Sequence, residues 1–195
     1  MMVKICGITN REDALAAIDG GAAALGFNFF PSSPRYVAPD EAAGIAAKLP
    51  STVWKVGVFV DESPEAVLDI AAQVGLDIAQ LHGSESPEQY PRGIRVWKAI
   101  RMLAGETACP TTCSNAEAVL LDGPASGRVF DWARVPQGVP KLILAGGLHA
   151  GNVREAIEQV HPWGVDACSQ IESSPGRKDR CKMAAFLKAA LMASS

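Results

Sequence analysis

Two segments far apart in the chain end on side chains able to move protons. Lys4-Ile5-Cys6 closes an apolar stretch near the start, and Val119-Leu120-Leu121-Asp122 closes another in the second half. A thiol can serve as base or nucleophile, and a carboxyl as acid or base. Side chains alternate along a strand, so Lys4 and Cys6 share one face while Val3 and Ile5 share the other. The same alternation pairs Leu120 with Asp122. A carboxylate closing an apolar strand costs desolvation unless it is paired or faces an open site, which singles out Asp122 over the acids of exposed helices. Free cysteine is also a common small core residue, so Cys6 read alone fits a packed interior as well.

Three further places could bind. Pro31-Ser32-Ser33-Pro34-Arg35-Tyr36 stiffens the backbone around one guanidinium, a two-pronged donor for a carboxylate, although a surface arginine beside a turn is the plainer reading. His82, in Gln80-Leu81-His82-Gly83, is either a ligand-contacting donor or a packed histidine. Ala145-Gly146-Gly147-Leu148 would let backbone N–H groups close on an anion, or is simply a tight turn before a helix.

The elements that position these residues follow from hydrophobic patterning. Runs rich in Val, Ile, Leu and Phe recur at 2–6, 24–29, 54–60, 78–82, 95–100, 118–122, 142–145 and 164–168, as in strands buried on both faces. Helix-start signals lie between most of them: Asn10, Pro39-Asp40-Glu41, Ser63-Pro64-Glu65, Gly151-Asn152 and Asp179. This β-then-α repeat predicts eight strands with seven or eight helices. The fifth and sixth helices should be short or irregular, because a Pro/Thr/Ser-rich stretch and then only residues 130–134 are left for them. An open doubly wound sheet would want a glycine-rich phosphate turn after its first strand, and Cys6-Gly7-Ile8-Thr9-Asn10 is not one. The expected fold is therefore α/β, a single (β/α)8 TIM barrel over residues 1–195, minimal for an architecture of typically ~250 residues. Barrel chemistry sits at the C-terminal strand ends, where Cys6 and Asp122, three strands apart, would approach a bound molecule from different sides. Many barrels hold phosphate in the loops after strands seven and eight, which here carry Gly146-Gly147 and Cys168-Ser169.

With 195 residues, 48% hydrophobic, and a net charge of −3, the chain offers no basic face for a phosphate backbone, so nucleic acid is not expected as a partner. No stretch approaches the ~20 apolar residues of a membrane span. The start lacks a secretory signal pattern, and the cytoplasm is the expected location. Five cysteines in a chain of this size read as thiols, and Cys109 and Cys113 lack a second pair to complete a zinc site, so no metal is expected.

Taken together these motifs resemble one family, phosphoribosylanthranilate isomerase. The resemblance rests on Lys4-Ile5-Cys6-Gly7-Ile8-Thr9, Gly26-Phe27, Ser32-Ser33-Pro34-Arg35, Gln80-Leu81-His82-Gly83, Leu120-Leu121-Asp122, Phe130-Asp131-Trp132, Ala145-Gly146-Gly147-Leu148 and Val165-Asp166, and on Glu172-Ser173-Ser174-Pro175-Gly176-Arg177-Lys178-Asp179. These run in order from residue 4 to residue 179. The resemblance implies the tryptophan-biosynthesis isomerase on a (β/α)8 barrel, converting N-(5-phosphoribosyl)anthranilate to 1-(2-carboxyphenylamino)-1-deoxyribulose 5-phosphate by an Amadori rearrangement, with no cofactor. By the same resemblance Asp122 is the general acid, Cys6 the general base and Arg35 the anchor of the anthranilate carboxylate. Gly146, Gly147, Cys168 and Ser169 form the phosphate cradle, and His82 and Asp166 lie near the ribose. A free thiol, with a pKa of ~8.5, comes within reach of neutral pH if a cation such as Lys4 stabilises the thiolate. The partner is thus a small sugar phosphate, bound by a monomer or a homodimer.

Two departures stand out. The loop after Asp122 is shorter than is usual in the family, and Cys168-Ser169-Gln170-Ile171-Glu172 stands where the family commonly reads S-S-G-V-E. Two rivals remain: the related barrel isomerase of histidine biosynthesis, which would want an aspartate in place of Cys6, and a non-catalytic barrel that binds phosphate ligands.

Overall fold

The computed structural model describes residues 1–103, 115–136 and 138–193. Eight parallel strands pair in chain order and close on themselves: β1 (Met2–Ile5), β2 (Ala24–Asn28), β3 (Trp54–Phe59), β4 (Ile78–Leu81), β5 (Arg95–Arg101), β6 (Ala118–Asp122), β7 (Leu142–Leu144) and β8 (Gly164–Ala167). The last joins the first in register, with Val3 opposite Val165 and Ile5 opposite Ala167. Each of the eight apolar runs is a strand, with ends within a residue of those expected.

The helices follow their start signals. Asn10 caps α1 (Arg11–Asp19), its side chain accepting from the Asp13 N–H at 2.9 Å. Pro39 opens α2 (Pro39–Ala46). Ser63 caps α3 (Pro64–Val74), with proline in the first turn and Gly75 in the left-handed region just past its end. Asn152 precedes α4 (Val153–Val160), and Asp179 caps α5 (Arg180–Met192) through the N–H groups of Cys181 and Lys182.

These are five α-helices among the described residues, where the repeat predicted seven or eight. Between β4 and β5, Pro87, Pro91 and Gly93 hold the connection to a 3-10 turn, Pro87–Gln89. The sixth connection is also a 3-10 turn, Trp132–Arg134, short as expected. The fifth falls largely outside the described residues, with Cys109 and Cys113.

Alternation along the strands divides the core in two. Outward residues such as Val3, Ile5, Leu25, Phe27, Leu121 and Val165 pack against the helices. Inward residues fill the barrel, with Met2, Ala24, Val56, Ile78, Trp97, Leu120 and Ile143 in one cluster. At its lower end the Trp54, Trp97 and Trp163 rings lie 6.0 to 6.1 Å apart, each in contact with the other two. Trp97 is fully buried, and burying so large a side chain contributes several kcal/mol, on the order of the ~25 cal/mol per Å² of apolar burial. The Arg95 guanidinium lies over Trp54 at 4.6 Å from the ring centre. Small residues then leave the upper barrel open: a Cβ on Gly26 would strike the Cys6 sulfur.

After β8 a 3-10 turn, Ser169–Ile171, leads into a hairpin of β9 (Glu172–Ser174) and β10 (Arg177–Lys178). The Lys178 N–H donates to Asp13 of α1 at 2.8 Å, so the hairpin is tied to the first βα unit. Among the described residues no helix is long and apolar enough to cross a membrane.

Candidate active site at the barrel mouth

The C-terminal strand ends surround a cavity of about 360 Å³, within the usual range of small-molecule sites. Every residue singled out from the sequence reaches it: Cys6, Arg35, His82, Asp122, Gly146, Gly147, Asp166, Cys168 and Ser169 all line its wall. Cys6 and Asp122, 116 positions apart in sequence by their numbers, face the same space, as their inward strand positions require.

Beneath Cys6 lies a buried ion pair. Lys4 is fully buried and its ammonium donates to Asp166 Oδ2 at 3.0 Å. Burial alone would favour the neutral amine, but the Asp166 carboxylate and the Cys6 thiolate reverse this and raise the pKa of Lys4. Asp166 is the member that titrates: burial outweighs its lysine and pushes its pKa up to about 7. Its second oxygen, Oδ1, is buried without a partner while the residue lines the cavity, so it is placed to accept from a bound hydroxyl.

Cys6 and Cys168 are neighbours just past the ends of β1 and β8. The interaction with Cys168 is the largest influence on Cys6, and with Lys4 and Lys178 it overcomes burial and holds the Cys6 thiol well below its ordinary pKa. Cys168 is pushed well above, by Cys6 and by burial, and its sulfur also lies 4.0 Å from Glu172 Oε1. Lys4 is among the groups that lower the Cys6 pKa, but Cys168 is the larger contributor.

At the opposite wall, Asp122 Oδ1 accepts from the Gly123 N–H at 2.9 Å, and Oδ2 lies 3.3 Å from His82 Nε2. The other imidazole nitrogen lies 3.4 Å from Gln80 Nε2. The histidine thus steadies the carboxyl, which sequence alone left open.

Arg35 is gripped from one side. Its Nε lies 3.0 and 3.1 Å from the two Glu172 oxygens and its Nη2 donates to Glu172 at 2.7 Å, leaving Nη1 without a partner among the described residues. Lys178 binds the same carboxylate at 2.9 Å. Burial would raise the Glu172 pKa, yet Arg35 and Lys178 together hold it lowered. Glu172 and Lys178 were not singled out from the sequence; their signal is the Glu172-to-Asp179 motif, in which they join one rim loop to another.

The β7 loop shows why glycine is needed there. Gly146 and Gly147 have φ of +81° and +68°, and a Cβ on either would overlap the backbone of the loop after β6, at Gly123 and Val129. The N–H groups of Gly146, Gly147 and Ser169 have no acceptor among the described residues, so three donors on the cavity wall remain for an anion. Gln170 donates across the mouth to the Gly127 carbonyl at 3.0 Å, linking the loops after β6 and β8. Arg101, at the end of β5, also lines the cavity and was missed. The described residues contain no group of His, Cys, Asp and Glu arranged to hold a metal ion.

Known proteins share the sequence and the fold of this chain. Residues 3–189 match the family model described as N-(5'-phosphoribosyl)anthranilate (PRA) isomerase. The chain is 50% identical over 196 residues to N-(5'-phosphoribosyl)anthranilate isomerase of Solibacter usitatus, covering 97% of each protein. It superposes on the phosphoribosyl anthranilate isomerase of Thermus thermophilus with a TM-score of 0.92 at 38% identity, covering 98% of this chain and 99% of that one. A second solved phosphoribosyl anthranilate isomerase, in complex with reduced 1-(o-carboxyphenylamino)-1-deoxyribulose 5-phosphate, matches with a TM-score of 0.83 at 40% identity over 98% and 99% of the two chains.

Proposed function

The chain belongs to the N-(5'-phosphoribosyl)anthranilate isomerase family and has that family's isomerase function in tryptophan biosynthesis; we propose that it performs the Amadori rearrangement with Cys6 as general base and Asp122 as general acid. The observation that carries these roles is a single cavity walled on one side by the Cys6 thiol, its pKa lowered by its neighbours, and on the other by a carboxyl steadied by His82.

In this reading the substrate is fixed at both charged ends. The phosphate takes the free N–H groups of Gly146, Gly147 and Ser169, and the anthranilate carboxylate takes Arg35 through Nη1, with Glu172 keeping the guanidinium from turning. Anchoring both ends aligns the ribose between base and acid, which is where orientation lowers a barrier. Asp122 gives its proton to the ribose ring oxygen, the C1–O bond breaks, and the aniline nitrogen supplies the electron pair that forms a protonated Schiff base. The Cys6 thiolate then takes the proton from C2. The C2–H electrons form the enolamine and neutralise the iminium, and tautomerisation yields the ketone. Asp166 Oδ1 accepts from a ribose hydroxyl, and Lys4 keeps the floor of the site positive beneath the thiolate. A thiolate base also suits the reducing cytoplasm, where thiols remain free.

The test generates the labile substrate in place from anthranilate, phosphoribosyl pyrophosphate and the corresponding transferase, then follows its disappearance on adding this protein. Wild type should accelerate the loss, and Cys6→Ala should reduce turnover by orders of magnitude while still binding the reduced product analogue. Wild-type turnover in Cys6→Ala would remove the thiol from the mechanism.

A further inference from the structure

Cys168 is not needed as a thiol to serve as a donor, since a hydroxyl would do the same, and this chain carries sulfur where the family commonly reads serine. Its position is what gives that sulfur a consequence. In the β1–β8 ladder Ile5 stands opposite Ala167, and the Cys6 N–H continues it to the Ala167 carbonyl at 2.9 Å, so Cys6 and Cys168 are the next residues on adjacent strands. Neighbouring strands lie ~4.7–4.9 Å apart, inside the ~4.4–6.8 Å between Cα atoms that a disulfide spans. Both side chains line the same cavity. Gly7, whose Cβ would come within 2.9 Å of the Cys168 sulfur, leaves that space clear. Lys178 Nζ stands 3.9 Å from the Cys168 sulfur and Glu172 Oε1 4.0 Å from it, while Lys4 and Lys178 favour the thiolate at Cys6. Both cysteines are free.

We propose that Cys6 and Cys168 form a reversible redox pair in which a hydroperoxide converts the two thiols into an intramolecular disulfide that switches the enzyme off. The Cys6 sulfur attacks the peroxide, forming an S–O bond as O–O breaks; the departing oxygen leaves as water or alcohol, and Cys6 becomes a sulfenic acid. The Cys168 sulfur then displaces that oxygen, forming S–S as S–O breaks, and the Cys168 proton leaves with the hydroxide as water. Two thiols lose two electrons and two protons, and the peroxide accepts both. A small dithiol restores the pair by exchange. The sulfur that resolves the sulfenic acid also shields it from further, irreversible oxidation. That the disulfide abolishes turnover rests on Cys6 being the base; that it forms does not.

The test exposes the whole protein to hydrogen peroxide, blocks remaining thiols, and digests with trypsin without reduction. The expected product joins residues 5–11 to residues 155–177, the tryptic fragments that hold Cys6 and Cys168, at two hydrogen masses below their sum. Turnover should fall in step with that product and return with dithiothreitol. Cys168→Ser, measured against its own untreated rate, should lose turnover under prolonged peroxide and recover only a small fraction. Absence of the 5–11/155–177 product, with Cys6 driven to sulfinate or with Cys109 and Cys113 joined instead, would overturn the pairing and leave the functional assignment standing. Equal recovery in wild type and Cys168→Ser would overturn the resolving role. A linked protein that still turns over would overturn the switch, and with it Cys6 as the base.

Discussion

Replacing Cys168 by alanine isolates the largest influence on the base. The Cys6 thiolate accepts from Cys168 and is further held by Lys4 and Lys178, with Arg35 also in its field, while burial and the Asp166 carboxylate work against it. A hydrogen bond to a charged group contributes about 1.5–3 kcal/mol. Its loss should raise the Cys6 pKa by the free energy of that bond. Because the base works deprotonated, kcat/KM climbs as pH rises through that pKa, and the acid limb should move up by the same amount in Cys168→Ala. At a pH below the limb the variant would be ~10–100-fold slower, converging on its own plateau at high pH. Cys168→Ser keeps a donor and should return the limb to within a few tenths of a unit. The rate at which iodoacetamide alkylates Cys6, read on the fragment of residues 5–11, gives the same titration without turnover. A limb in Cys168→Ala that coincides with wild type, or equal shifts for alanine and serine, would refute the account of how this thiol is ionised.

Asp122→Asn keeps the shape but cannot donate the ring-opening proton, so kcat should fall by ~10²–10⁴ while the affinity for the reduced product analogue stays within a few-fold, as titration calorimetry can read. In Arg35→Met the carboxylate anchor is lost, and steady-state kinetics should show KM rising far more than kcat falls. Asp166 binds its proton more tightly folded than unfolded, so its contribution to stability is complete below the ordinary carboxylate pKa and is lost as pH rises through about 7. Melting temperatures of wild type and Asp166→Asn, compared between about pH 5 and pH 8, should therefore show wild type losing ground to the variant as pH rises; parallel curves would contradict the raised pKa.

The strands were legible because apolar runs buried on both faces look alike wherever they occur, and alternation within them placed Cys6 and Asp122 on inward faces correctly. What alternation cannot supply is partnership across the barrel. Lys4 reads as an isolated charge in an apolar run, and its counterion Asp166 lies 162 positions away. Arg35 reads as a surface arginine until Glu172, 137 positions on, is seen gripping it. The thiol at 168 reads as a substituted loop residue, since only ring closure brings β8 beside β1. The connection after β4 shows the converse error, where a repeat pattern suggested a helix and local proline chemistry prevented one.

The three interlocked indoles at the foot of the barrel make the cavity a cul-de-sac. Among the described residues, reactant and ketone would share the doorway at the strand ends, whose jambs are tied by Gln170. Turnover therefore includes a departure step before each new arrival, and accumulated ketone should act as a purely competitive inhibitor that spares the maximal rate.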